Sequence, residues 1–328
     1  MKTLLKLLAL RILSGLPLLL FLSLLTFSLM QLVPGNYFDS LRLNPQISAE
    51  TIQKYEAIYG LDQPVIVQYF RWLGNLCRLD LGYSFAFRQP VTEVLGSRMI
   101  NTLLLNAVAL SLAWVLAVML GLLSGVRENS LLDRLSRFVS YLSLSIPSFF
   151  LCLLLLLAAI QFDGFPLGGM KSVLHDRLSV AGKLVDIARH MVIPVTVLTL
   201  ASFAYLYRLM RSQTLEAKKK EFIFFLRANR ISDNRITFHH IARNAVNPLV
   251  SHFGLELPVL FSGSALVEIF TGWPGLGQVM LQAVRSQDLF LVLGNLMMIA
   301  VLLIFGNLIA DVLLVLVDPR IRMSGGKQ

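Results

Sequence analysis

Long apolar runs alternate with short segments that hold most of the charge in this 328-residue chain. The first uncharged run extends from Ile12 to Val33, behind Lys2, Lys6 and Arg11. Further runs cover roughly Asn101–Ser124, Phe138–Ile160, Met191–Tyr207, Ala245–Val267 and Leu289–Val317. About 20 helical residues cross a hydrocarbon core of roughly 30 Å. The pattern therefore predicts six transmembrane helices, with both termini on one side. The segment from Pro34 to Ile100 is mixed in polarity and predicts ordered structure that does not span. The stretch "MQLVPGN" offers no small-residue cleavage site, so the first run reads as a retained helix rather than a signal peptide.

Composition agrees. The chain is 56% hydrophobic and 15% charged, with mean hydropathy +0.70, outside the range of soluble domains. A net charge of +10 could suggest nucleic acid, but the positive residues sit between apolar runs and report topology first. Taking segments 1–12, 124–137, 208–243 and 317–328 as cytoplasmic, they hold 18 of the 29 Lys and Arg residues in about 74 positions. Six of the others fall in the long Pro34–Ile100 segment, and long loops obey the positive-inside rule poorly. The expected fold is an all-α polytopic membrane protein with six spans, N-in and C-in. Residues 1–33 form the N-terminus and first span, and 34–100 a large extracytoplasmic segment. Residues 101–328 form a five-span core with a cytoplasmic loop at 208–243.

Catalytic motifs are absent. No GxxxxGK[ST] loop occurs, and the terminal "SGGKQ" neither follows a strand nor opens a helix. No HExxH or GxSxG appears, so the chain is not read as an enzyme. Cys77 and Cys152 lie in unlike surroundings and have no spaced partners for zinc. His239 and His240 are adjacent, hence about 100° apart on a helix, and do not suggest a shared metal. No metal, bound cofactor or nucleic-acid partner is expected for this chain.

Some polar groups fall inside the runs. Pro194, Pro248 and Pro258 interrupt the fourth and fifth. His252 and Glu256 share a helix face at i, i+4, as do Asn307 and Asp311 in the last run. Each pair reads either as a buried packing bond or as part of a translocation path. After the fifth run, "TGWPGLG" predicts a tight irregular turn.

Several stretches read together: "LVPGN", "YGLDQPVIVQYFRWL", "DLGYSF", "VTEVLGSRMINTLLL", "RNAVNPLVS", "VEIFTGWPGLGQVMLQAVRSQD" and "GNLIADVLLVLVDPRIRM". In order and spacing the chain resembles the inner-membrane permease subunits of binding-protein-dependent ABC importers, in the dipeptide/oligopeptide/nickel group. It is similar to the first of the two permeases. The resemblance implies a second homologous permease, two ATPase subunits that bind ATP and Mg, and an extracytoplasmic solute-binding protein. It implies alternating access in the bacterial-type inner membrane, with di- or oligopeptides as substrate and nickel or a nickel chelate as the alternative. A channel or ion-coupled carrier is the rival from another class; it predicts internal repeats or a charged relay within the spans, which the sequence lacks.

The resemblance also places an ATPase-coupling motif in the loop between spans four and five. Glu221-Phe222 stands for an acidic–aromatic pair, Arg227-Ala228 for Arg-Ala, and Ser232 for the serine. His240, Arg243, Asn244 and Pro248 match the helix that follows, with Asn229, Asp233 and Arg235 in the same segment. Arg230 departs, because the family usually has glycine there. Either Arg230 takes a left-handed conformation at a cost of roughly 1 kcal/mol, or the cap shifts by one to Asn229. Ser232 then suits an N-cap, with Asp233 in the first turn. The exposed aromatics Phe222, Phe224 and Phe225 call for a partner surface, and the basic residues also suit anionic membrane lipid. On the outer side the resemblance puts Glu268, Trp273, Pro274, Gly275 and Gly277 near a gate or the binding protein. A structural cap on the bundle is the equal alternative.

Overall fold

A computed structural model describes residues 2–33, 35, 37–42, 48–161, 165–256 and 264–317. Pro34, Asn36, Pro258, the "DPR" at 318–320 and the terminal "SGGKQ" lie outside the described residues. Within the described residues the regular structure is helical, apart from one two-residue hairpin pairing β1 (Tyr83–Ser84) with β2 (Gln89–Pro90). The chain forms two compact units. One comprises residues 1–102 and 274–305, the other 103–273 and 306–328.

The first unit begins with α1 (Lys2–Leu32), followed by the short helices α2 (Tyr37–Arg42), α3 (Ala49–Tyr59) and α4 (Val65–Leu76). Next come the hairpin and the first turns of α5 (Val91–Val126), ten residues before the predicted start. Ser48 caps α3 by accepting from the Thr51 N–H at 3.2 Å, and Gly60 at φ +71° ends it. Phe38, Ile52 and Phe85 build a small aromatic core with Tyr37 and Tyr59 around them. The unit returns with α13 (Leu276–Arg285) and the first half of α14 (Leu289–Val317). Val94, Leu95, Leu276, Val279 and Leu291 pack there as a second core. Asp288 ties hairpin to helix. Its carboxylate accepts from the Ser84 hydroxyl (2.7 Å) and the Ala86 N–H (3.0 Å), and caps α14 through the Leu291 N–H (3.3 Å).

The second unit holds the rest of α5, then α6 (Leu131–Ser145), α7 (Ser148–Ile160) and α8 (Val180–Lys218). Beyond them lie α9 (Glu221–Ala228), α10 (Asp233–Arg235), a π-helical turn at Ile236–Ile241, α11 (Ala242–Glu256) and α12 (Ala265–Thr271). Apolar burial drives little association between helices surrounded by lipid, so close approach and polar bonds must hold them. Both are present. Gly121 and Gly125 of α5 face α8: a Cβ on Gly121 would lie 2.7 Å from the Met210 Cβ, and one on Gly125 2.5 Å from the Thr214 Cβ. The Lys218 ammonium donates to the Val126 carbonyl (2.8 Å), and Thr199 to the Ala109 carbonyl (3.2 Å). Asp186 anchors the loop before α8, accepting from the Ser172 N–H (3.0 Å) and pairing with His175 Nδ1 (2.7 Å).

Among the described residues, α1, α5, α8 and α14 are long and apolar enough to cross a membrane. The α6–α7 pair passes only when taken together, with a 110° bend between its parts. This corrects the expectation of one straight third span over Phe138–Ile160. The break follows from Pro147, which forces Ile146 into an extended conformation (φ −101°, ψ 121°) and opens a new helix. α6 is also not uniformly apolar, since it buries Asp133, Ser136 and Ser140. The predicted fifth span, Ala245–Val267, divides between α11 and α12, with 257–263 outside the described residues. At 39 residues, α8 is about 58 Å long, nearly twice the ~30 Å hydrocarbon thickness, so it projects well beyond the predicted Met191–Tyr207.

Candidate functional site

The basic segment predicted to carry function is a built element. Ile223 of α9 is buried and Leu226 half-buried, and both join a core with Met210, Ile236, Ile241 and Leu249. That anchoring turns the other face of α9 outward: Phe222, Phe224 and Phe225 are exposed, Phe224 at 80%. Glu221, Arg227, Ala228, Asn229 and Arg230 are exposed beside them. The result is an aromatic and basic ridge on a rigid base.

Arg230 itself takes the left-handed turn, at φ +58°. Asn229 stays right-handed (φ −83°), so the cap does not shift to it. The Ile231 N–H reaches back to the Leu226 carbonyl (3.2 Å) and the Arg230 N–H to Arg227 (2.9 Å), which is a Schellman closure. Asn229 adds a side-chain bond to the Phe225 carbonyl (2.9 Å). Ser232 occupies the N-cap position of α10, as predicted, but its side chain makes no capping bond. Asp233 pairs with Arg227 at 3.5 Å, both well exposed, and such a contact contributes little.

The π-helical turn follows directly. Extra residues in a turn re-aim the chain, here between α10 and α11. His240 is half-buried and its carbonyl accepts from the Asn244 amide (2.9 Å); its ring meets His239 edge-on at 5.1 Å. Arg235 and Arg243 are exposed. Among the described residues no cluster suits a metal ion.

Sequence reasoning missed a clamp at the same end of α8. Asp133, 0% exposed, takes two bonds from the Arg211 guanidinium, Nε to Oδ1 at 2.6 Å and Nη2 to Oδ2 at 3.0 Å. The Asn129 N–H adds 2.9 Å and the Tyr207 hydroxyl 3.3 Å. A signal existed: Ser130 before Asp133 marks a helix start, and the Ser130 hydroxyl does accept from the Asp133 N–H at 3.3 Å. Its partner Arg211 lies 78 residues on, and no local pattern pairs them.

The polar pairs of the predicted fifth and sixth spans differ from each other. His252 Nε2 lies 3.0 Å from Glu256 Oε1, a bond within α11, and the His252 ring lies 4.5 Å from that of Tyr205 on α8. The pair is thus bonded within its own helix, with a ring contact to α8. Asn307 is exposed and Asp311 half-buried.

Glu268 and Trp273 are each 0% exposed. Glu268 accepts from the Ser264 hydroxyl (2.8 Å), which itself accepts from the Asn106 amide (2.8 Å). Gly272 at φ +61° closes α12, with the Trp273 N–H bonded to the Glu268 carbonyl at 2.9 Å. In the first unit, the Pro274 carbonyl accepts from the Asn101 amide (2.9 Å), Gly275 opens α13 and Gly277 is buried.

Two family models cover most of the chain. Residues 117–323 match the binding-protein-dependent transport system inner membrane component, and residues 4–106 the N-terminal region of such membrane components. The chain is similar to the oligopeptide transport system permease protein AppB of Bacillus subtilis (strain 168), 36% identical over 313 residues, 95% of this chain and 97% of that protein. A protein of Brucella suis biovar 1 (strain 1330), provisionally named a peptide permease, is 33% identical over 319 residues, 96% of this chain and 98% of its own length. The di/tripeptide transport system permease protein DppB of Pseudomonas aeruginosa (strain UCBPP-PA14) is 30% identical over 318 residues, 92% and 94% respectively. With matches of this extent joined to four membrane-length helices among the described residues, the chain belongs to the family of inner membrane components of binding-protein-dependent transport systems.

Proposed function

We propose that the chain is a transmembrane subunit of an ATP-driven peptide importer, lining the substrate path together with a second, homologous permease. Hydrolysis of ATP with Mg belongs to two separate ATPase subunits, and an extracytoplasmic binding protein supplies the substrate. The names of the oligopeptide and di/tripeptide relatives support peptide as substrate. Six spans with both termini cytoplasmic agree with the distribution of Lys and Arg.

The observation that carries the reading is the ridge on α9. Exposed aromatics on a soluble-facing element are costly unless covered. Here Phe222, Phe224 and Phe225 project from a helix whose opposite face is anchored by Ile223 and Leu226. A nucleotide-driven movement of an ATPase docked there passes into the bundle through this core rather than through a loose loop. Glu221, Arg227, Arg230, Asp233 and Arg235 ring the apolar centre as a polar rim.

Single cysteines at positions 229 to 234, cross-linked in the assembled transporter, test this. Cross-links to the ATPase that change with its nucleotide state are expected. Labelling indifferent to the ATPase and to nucleotide would refute the coupling role.

A further inference from the structure

One face of α8 stays open in the second unit, and it is polar. α6 lies along one side of α8, where the Ser140 hydroxyl donates to the Ala204 carbonyl (3.1 Å) and Asp133 holds Arg211. α11 lies along another, where Ala245 and Leu249 share a core with Met210. On the remaining face Ala201, Tyr205, Arg208 and Ser212 are exposed, at spacings of four, three and four residues. Tyr205 falls within the predicted fourth span, and Arg208 follows its end by one residue. The Arg208 Nε donates to the Ala204 carbonyl (3.1 Å), and the guanidinium makes no ion pair among the described residues.

α11 brings the opposite charge to the edge of this face. It runs antiparallel to α8, since Leu249 shares the Met210 core while His252, further along, meets the Tyr205 ring at 4.5 Å. Phe253 packs edge-on against Trp114 of α5 at 5.2 Å, which fixes the rotation of α11. One Glu256 oxygen lies 3.0 Å from His252 Nε2, and the other has no partner among the described residues. Glu256 is one turn beyond His252 and so about level with Ala201, seven residues before Arg208 and about 10 Å from it along α8. Ionisable groups at membrane depth face a bundle interior or a water-filled path rather than lipid. A carboxylate, an aromatic ring and a guanidinium thus follow one another over about 10 Å, the span of three extended residues.

We propose, on the importer reading above, that this strip of α8 and α11 recognises the two charged ends of a short peptide in transit. Glu256 and the face of Tyr205 take the terminal ammonium, and Arg208 takes the terminal carboxylate. His252 is a positioning residue that holds the Glu256 carboxylate against α11. The strip favours unblocked peptides over those capped at either end.

The test uses proteoliposomes that contain the complete transporter, with one binding protein throughout so that its own preferences cancel between wild type and variant. Uptake is compared for a tripeptide, its N-acetyl form and its C-terminal amide. Arg208→Gln is expected to lower the ratio of free-acid to amide uptake about tenfold and to leave the N-terminal ratio unchanged. Glu256→Gln is expected to do the reverse, lowering the ratio of free-amine to N-acetyl uptake about tenfold. Tyr205→Leu, at a position 45% exposed that spares the core, is expected to lower the same N-terminal ratio about threefold. ATPase stimulation by the loaded binding protein is expected to stay at the wild-type value in all three variants. Unchanged ratios in Arg208→Gln and Tyr205→Leu overturn the assignment, while ATP-dependent uptake by the wild type leaves the importer reading standing. A wild type without ATP-dependent peptide uptake refutes both. Variants that no longer copurify with the second permease make the strip a subunit contact and overturn the assignment.

Discussion

Among the described residues, three helices end in a left-handed turn occupied by a bulky residue. Leu79 (φ +62°), Arg230 (φ +58°) and Gln287 (φ +54°) close α4, α9 and α13, whereas Gly60 and Gly272 close α3 and α12 with the same pair of backbone bonds. Arg230 is therefore a tolerated variation rather than a defect. A side chain in this region costs roughly 1–2 kcal/mol, and glycine gives back part of that through its greater freedom when unfolded. Arg230→Gly is expected to stabilise the α9 end by at most about 1 kcal/mol, read as slower amide exchange around residues 229–233. Faster exchange there would contradict the assignment of strain to Arg230. The Asp133–Arg211 clamp lies at the opposite extreme of consequence. Arg211→Ala leaves a fully buried carboxylate without its main partner, and is expected to cost about 3 kcal/mol in thermal unfolding. A loss no larger than that of an exposed pair would show the clamp to be incidental. Burial pushes the Asp288 carboxyl above its ordinary value, against bonds from Ala86 and Ser84 that pull it down. A raised folded value means stability present below the unfolded pKa and lost as pH rises through the folded one. Asp288→Asn is expected to remove that loss from the pH profile of unfolding, and superimposable profiles would contradict it.

At the scale of elements, the α5–α8 contact is the most sensitive to volume. Gly121 and Gly125 let two backbones approach, with the Arg211 carbonyl 3.1 Å from where a Gly125 Cβ would stand. Gly125→Leu is expected to destabilise by about 1–3 kcal/mol through forced separation of the helices, measured as a lower unfolding midpoint in detergent. An unchanged midpoint would mean the contact is loose. The apolar runs made α1, α5, α8 and α14 legible, because a long uncharged stretch has few other fates. The third run was misread because Ile146-Pro147 breaks it while hydropathy stays high on both sides. In the segment from Glu221 to Ile241, Ser232, Arg227 and the aromatic positions were legible from residue types. The π-helical turn at Ile236–Ile241 was not, since "ITFHHI" carries no proline or glycine to announce a change of pitch. The Asp133–Arg211 clamp joins residues far apart in the chain, which no local periodicity encodes.

At the scale of the whole molecule, the proposed function requires partners on both sides of a membrane. In that proposal the α9 ridge is the docking face; the core beneath it includes residues of α8 and α11, and α11 carries the His252–Glu256 pair. The most direct measurement is uptake of a labelled tripeptide into proteoliposomes containing this chain, its partner permease, both ATPase subunits and the loaded binding protein. Accumulation that requires ATP, and that falls at least tenfold when Phe224 and Phe225 are both changed to Ser, is the predicted result. Peptide uptake by the chain alone without nucleotide, or transport of nickel with none of peptide, would contradict it.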